Sequence, residues 1–154
     1  MKKFKFRLEP IQRIKAHQEK ERQKEHAVAV HRVQAQKEHL HRLEAGRLQV
    51  MEHQRQIQGG SLQPAQMLWY SRYYLKLKRD ALAGAEILRG LESEAEKKRQ
   101  RLVEASRERK TYDKLKERQQ AKFNQGVEQT INKQNDEISA NNFRIRRASN
   151  PSSG

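Results

Sequence analysis

Gly59-Gly60-Ser61-Leu62-Gln63-Pro64 is the one real interruption in this chain of 154 residues. Almost everything on either side reads as helix, so this stretch decides the architecture. Gly59-Gly60 can end a helix, because glycine tolerates the left-handed conformation that many helix C-caps adopt. Ser61 is a candidate N-cap for the next helix, with Pro64 in its first turn. Together they form the signal of a short connection between two antiparallel helices. If the chain turns back here, it is a hairpin. If it runs straight through, it is a rod that needs a second copy, and replacing Gly59-Gly60 by Ala-Ala is expected to push it that way.

Composition supports long helices on both sides. Hydrophobic residues make up 34% and charged residues another 34%, with a mean hydropathy of -1.19. Such a chain cannot fill a thick core, and low hydrophobicity with high charge is also the signature of disorder. Against disorder, Ala, Glu, Lys, Arg, Gln and Leu dominate, the composition of helices joined along a narrow apolar seam. There is no Cys, which removes disulfides and thiolate chemistry and fits a reducing cytosol. After Met1-Lys2-Lys3 no apolar stretch follows, so no secretory leader is expected. The longest apolar run, Ala27-Val28-Ala29-Val30, falls far short of the ~18 residues a membrane span needs.

Working outward, residues 1–9 read as an extended lead-in, with Phe4, Phe6 and Leu8 on alternate positions. Helix 1 is expected over 10–58. Its seam is interrupted: Ile11 and Ile14 open it, Gln18, Glu21 and Glu25 break it, and Val28, Val33, Leu40, Leu43, Val50 and Ile57 resume it. The turn occupies 59–64 and helix 2 is expected over 65–143. Its seam is regular: Tyr70, Tyr74, Leu77, Ala81, Gly84, Leu88, Leu91, Ala95, Lys98, Leu102 and Ala105 alternate steps of four and three. After Ala105 the phase is expected to slip, with Tyr112, Leu115, Phe123, Val127, Ile131 and Ile138 as a weaker stripe. Residues 144–154 read as a disordered basic tail. Folding about 61–62 would bring position i opposite about 123 minus i, with Phe4 near Gln119 and nothing within the chain opposite residues beyond about 120. The fold class is therefore all-α, two long helices in an antiparallel coiled-coil hairpin.

Chemistry is sparse. There is no phosphate-binding glycine loop and no nucleophile elbow. The six His residues, His17, His26, His31, His39, His41 and His53, all lie in helix 1. None are four apart, the spacing that puts two ligands on one helical face. No metal, cofactor or catalytic residue is expected, and two helices offer no concave pocket for an enzyme. The formal charge of +15 favours acidic partners. Between Lys97 and Arg118, however, Glu104, Glu108, Asp113 and Glu117 interrupt the cations, as on a solvated coiled-coil face. No specific nucleic-acid reader is expected. A nucleic-acid-binding coiled coil and a self-associating scaffold remain the alternatives. Just after the turn, Trp69, Tyr70, Tyr73 and Tyr74 crowd into six residues. Tyr70 and Tyr74 can lie on the seam, closing the tip, while Trp69 and Tyr73 point aside as contact anchors.

Several motifs resemble the FliJ family of the bacterial flagellar type III export apparatus. They are Phe4-x-Phe6-x-Leu8-x-Pro10-Ile11, Tyr70-x-x-Tyr73-Tyr74-x-x-Leu77, the run Glu104-Ala105-Ser106-Arg107-Glu108-Arg109-Lys110 into Tyr112-Asp113-Lys114-Leu115-Lys116, and Asp136-Glu137-Ile138. The resemblance covers about residues 3 to 143. It implies a hairpin like the stalk (γ) subunit of rotary ATPases, whose open end enters the hexameric export ATPase, FliI. It implies contact with the cytoplasmic domain of the export gate, FlhA, and with export chaperones. It also implies a cytoplasmic monomer at the inner membrane of the flagellar base, reaching the membrane only through partners. By matched motif, Trp69, Tyr70, Tyr73, Tyr74 and Leu77 become the expected gate contact. Arg7, Arg13, Lys15, Arg107, Arg109, Lys110, Lys114 and Lys116 become the expected ATPase contact.

Overall fold

A computed structural model of the chain describes residues 3–57, 59, 60 and 63–149. Among these residues there are two helices and no strand: α1, Glu9–Ile57, and α2, Pro64–Ser149. The chain divides into two compact units, one made of residues 16–106 and the other of 1–15 with 107–154. In each, a stretch of α1 or of its lead-in lies antiparallel to α2, the all-α hairpin arrangement expected from the turn signal.

In the 16–106 unit, α1 ends at Ile57, whose carbonyl accepts a 2.9 Å bond from the Gly60 N–H. Neither Gly59 nor Gly60 has a positive φ, so the turn does not use the left-handed cap anticipated for it. The Ser61 cap expectation lies outside the described residues. Pro64 is the first residue of α2, where its missing N–H costs nothing. The Gln63 carbonyl accepts from the amides of Gln66 and Met67 at 3.0 and 3.3 Å, closing the first turn.

Beyond the turn the pairing follows the anticipated fold-back. His53 packs on Tyr70, Leu40 meets Gly84, and Lys98 donates to Glu25 at 3.1 Å. Gly84 marks a close approach of the helices. A Cβ there would lie 2.7 Å from Leu40 Cδ2 and 3.2 Å from Gln36 Nε2, and Gln36 Nε2 donates to the Gly84 carbonyl at 3.1 Å. Leu77 and Ala29 are the buried apolar side chains of this unit, 7% and 5% exposed.

The α2 seam forms where it was read: every residue from Tyr70 to Ala105 in that series is buried or half-buried. The first half of the α1 seam is a correction. Ile11, Ile14 and Val28 are exposed. One residue later, Gln12, Lys15, Glu19, Arg22, His26 and Ala29 are half-buried or buried, in steps of three and four that run in phase into Val33, Leu40, Leu43, Val50 and Ile57. The reason is electrostatic: these polar positions have charged or amide partners that an apolar pattern does not report.

The other unit corrects a second expectation. No phase slip follows Ala105, because Arg109, Tyr112 and Lys116 continue the steps of four and three as half-buried residues. The long aliphatic stems of Arg109 and Lys116 cover the seam while their charges reach Asp113 and Glu9. Lys15 Nζ donates to Glu108 at 2.6 Å, Gln12 Nε2 donates to Asp113 at 2.6 Å, and Arg109 pairs with Asp113. Phe6 is 6% exposed, with Lys116 Nζ 5.9 Å from its ring centroid. Phe4 packs on Phe123 at 5.7 Å, past the expected Gln119. An extended lead-in advances ~3.3 Å per residue against ~1.5 Å in a helix, so it reaches further along α2. α2 also continues to Ser149, beyond the expected end at 143. Residues 150–154 of the expected tail lie outside the described residues. From 128 to 147 every described residue is exposed, Ile131, Ile138, Phe143 and Ile145 included.

Candidate interaction surfaces

The aromatic cluster is sorted by helical geometry. At ~100° per residue, Tyr70, Tyr74 and Leu77 share the seam face, and Trp69 and Tyr73 are carried to its flank. Tyr70 is half-buried against His53, ring centroids 5.8 Å apart. Tyr74 is half-buried, and its hydroxyl accepts from Arg47 at 3.4 Å. Leu77 is a seam residue, and any effect it has on a partner must pass through the position of the helix. Trp69 stacks on Tyr73 at 5.4 Å with planes 12° apart, and meets Tyr70 edge-on at 5.2 Å. Trp69 remains 59% exposed and Tyr73 36%. The stacked pair holds a large apolar surface in a fixed orientation in water, so a partner that covers it loses little side-chain entropy.

The expected cationic set divides in the same way. Lys15, Arg109 and Lys116 are half-buried and engaged within their unit. The hydrogen bond from Lys15 to Glu108 raises the lysine pKa above its ordinary value. Arg7, Arg107, Lys110 and Lys114 are exposed, and Arg13 is exposed while pairing with Glu9 one turn earlier. Arg107, Lys110 and Lys114 fall on one line of α2, at steps of three and four.

Other features were not read from the sequence. Leu68, Leu75 and Leu82 are exposed on α2. Their seven-residue spacing was legible, but the regular inner seam explained the helix without them. A crevice of about 290 Å³ opens beside Ala29, edged by Glu21, Lys24, Glu25 and Lys98. It is open and lined by charged side chains, and Glu25 there is occupied by Arg22 and Lys98. Among the described residues no three His, Asp or Glu side chains gather as a metal site would require. No helix among them is long and apolar enough to cross a membrane.

No curated protein and no solved structure matches this chain. A family model does: that of the flagellar FliJ protein, over residues 4–148. The match spans both units, the lead-in phenylalanines, the aromatic stretch at the start of α2 and the charged run around Arg109. The chain belongs to the FliJ family, proteins of the bacterial flagellar export apparatus.

Proposed function

We propose that this protein is a non-enzymatic link in flagellar protein export, engaging the hexameric export ATPase FliI through one unit and the FlhA export gate through the other. The observation that carries this reading is the Trp69–Tyr73 stack, an exposed aromatic anchor beside a turn, on a helix whose seam is already filled. Rigid exposed aromatics of this kind are favoured as interface hot spots. In this reading Trp69 and Tyr73 touch the gate, while Tyr70, Tyr74 and Leu77 fix the angle at which they are offered. The exposed cations Arg7, Arg13, Arg107, Lys110 and Lys114 engage acidic surface on the ATPase, and Lys15, Arg109 and Lys116 hold the helical pair that carries them. Export chaperones are further partners through the family relationship alone.

The test is a pair of binding assays on the full chain, one with the ATPase and one with the gate's cytoplasmic domain. Trp69→Ala with Tyr73→Ala is expected to weaken gate binding at least ~100-fold, the loss of two aromatic anchors, and to leave ATPase binding and the helical circular dichroism unchanged. Arg107→Glu with Lys110→Glu and Lys114→Glu is expected to do the reverse. Equal loss of both partners from either variant would sink the division of labour.

A further inference from the structure

The seam of α2 faces α1, and about half a turn away lies the outward face on which Leu68, Leu75 and Leu82 recur every seven residues. They are 54, 56 and 65% exposed. The row runs ~21 Å along the helix. Arg72 and Arg79 fall between the leucines on the same face, with Lys76 and Lys78 on its two flanks, all exposed. From Pro64 to Arg79 there is no acidic residue. Among the described residues none of these four cations takes part in an ion pair. Further along α2 the pattern changes, and Arg89 and Arg99 are held by Glu86 and Glu96. The stretch therefore combines a convex apolar row with cations that form no ion pair, although Asp80 stands four residues after Lys76.

We propose that this outer face of α2, Leu68 to Leu82, docks directly on an anionic lipid surface. The helix would lie in the plane of the interface, since it is too polar to span. Leu68, Leu75 and Leu82 enter the boundary between headgroups and acyl chains, as the apolar face of an interfacial helix does. Arg72, Lys76, Lys78 and Arg79 lay their aliphatic stems along it and carry their charges to the lipid phosphates. Trp69, at the edge of the row, sits at the depth that indole prefers. A flat lipid surface suits a convex row without a groove, and long free cations suit a dispersed layer of phosphates. The inference does not depend on the gate contact, and lipid-free assays with the gate domain report that contact separately.

The chain's single Trp is Trp69, so its emission is a built-in reporter. The full chain is titrated with vesicles of phosphatidylcholine alone and of phosphatidylcholine mixed with phosphatidylglycerol, at ~0.15 M salt, where non-specific surface attraction is largely screened. Partitioning is expected to be at least ~10-fold stronger on the anionic vesicles, with a blue shift of the emission. Leu75→Ser with Leu82→Ser leaves the charge unchanged and is expected to weaken it ~10-fold. Arg72→Gln with Arg79→Gln is expected to weaken it comparably, while Arg144→Gln with Arg147→Gln, the same loss of charge elsewhere, changes it less than ~2-fold. Circular dichroism of each variant checks that the helices persist. The proposal is overturned if the leucine variant binds as well as the parent, if the control pair loses as much as Arg72 and Arg79, or if the emission does not shift. It is also overturned if vesicles fail to bind while the leucine variant loses the gate domain instead, since the face would then serve a protein.

Discussion

In the unit of residues 16–106 the helices meet through Leu40, Leu77 and Gly84; in the unit of 1–15 and 107–154 they meet through Lys15–Glu108 and Gln12–Asp113, and the lead-in adds a single buried phenylalanine, Phe6. Both have the same geometry, but they differ in what holds it. Apolar packing supplies free energy without demanding a particular partner. Half-exposed charge pairs supply little energy but penalise the wrong partner, because a mismatched register leaves charges opposed. The first unit combines apolar burial with the pairs Lys98–Glu25 and Lys37–Glu92, whereas the second leans more heavily on its polar pairs. The consequence for dynamics is that the second should open more readily.

The largest effect is expected in the apolar unit. Leu77→Ala removes one of its few buried side chains and should cost about 3 kcal/mol in denaturant unfolding. Loss of under ~1 kcal/mol would mean the seam collapses around the gap and the contrast between the units is overstated. Phe6→Ala is the matching change in the other unit. Its damage should be confined: faster amide exchange over residues 9–15, with the global transition moved by less than ~1 kcal/mol. A global loss as large as that of Leu77→Ala would erase the distinction.

Acid and alkali each test a named charge pair without mutation. Hydrogen bonds from Lys98 and then Arg22 hold Glu25 below its ordinary carboxyl pKa of 4.5. A depressed carboxyl stabilises above its unfolded pKa, so this contribution is lost as the pH falls below about 4.5. The Glu108 hydrogen bond raises Lys15 above 10.5, so that contribution is present below about 10.5 and lost as the pH rises through the raised value. Amide protection, corrected for the intrinsic pH dependence of exchange, should therefore fall around Glu25 in acid and around Lys15 in alkali. Both pairs are solvent-accessible, so both effects should shrink with added salt.

The smallest effect concerns the turn. Gly59 and Gly60 have no positive φ, and a Cβ on either would make ordinary contacts, 3.8 and 3.6 Å from the carbonyls of Gln56 and Ile57. Gly59→Ala with Gly60→Ala should leave a single-chain mass in light scattering and stabilise by about 0.5 kcal/mol, by restricting the unfolded chain. This reverses the expectation drawn from glycine alone, because the observed backbone does not use the freedom that glycine offers. A dimer would mean that the turn, rather than the apolar seam, enforces the fold-back.

Much of this was legible in the sequence, for a physical reason. The α2 seam from Tyr70 to Ala105 is written in apolar and small residues, which are what periodicity detects. The start of α1 was misread by one position because Ile11, Ile14 and Val28 are apolar yet exposed, whereas Gln12, Lys15 and Arg22 are polar yet face α2. The partners of Gln12 and Lys15 lie on the other helix, roughly 90 to 100 residues away, and Arg22 is held by Glu25, which itself pairs with Lys98 across the seam. Of the candidate surfaces, the outward turn of Trp69 and Tyr73 followed from their offset to the seam, and Leu77 was already marked as seam by its spacing. The Leu68–Leu75–Leu82 row went unread because an exposed leucine is unremarkable singly. Only exposure measured side by side makes it a surface.

Gly84 carries one more implication. A heptad repeat is nearly blind to a slip of seven residues, since every seam position would find another seam position. Here such a slip would set Leu40 against Leu77 or Leu91, both leucines, instead of the gap that Gly84 leaves for it. The notch therefore works like the index mark on a sliding scale. It admits one setting, and the neighbouring ones lie ~10 Å away in either direction. The length of this helical pair is thereby reproducible from copy to copy, and in this unit the absence of a single methyl group supplies that calibration.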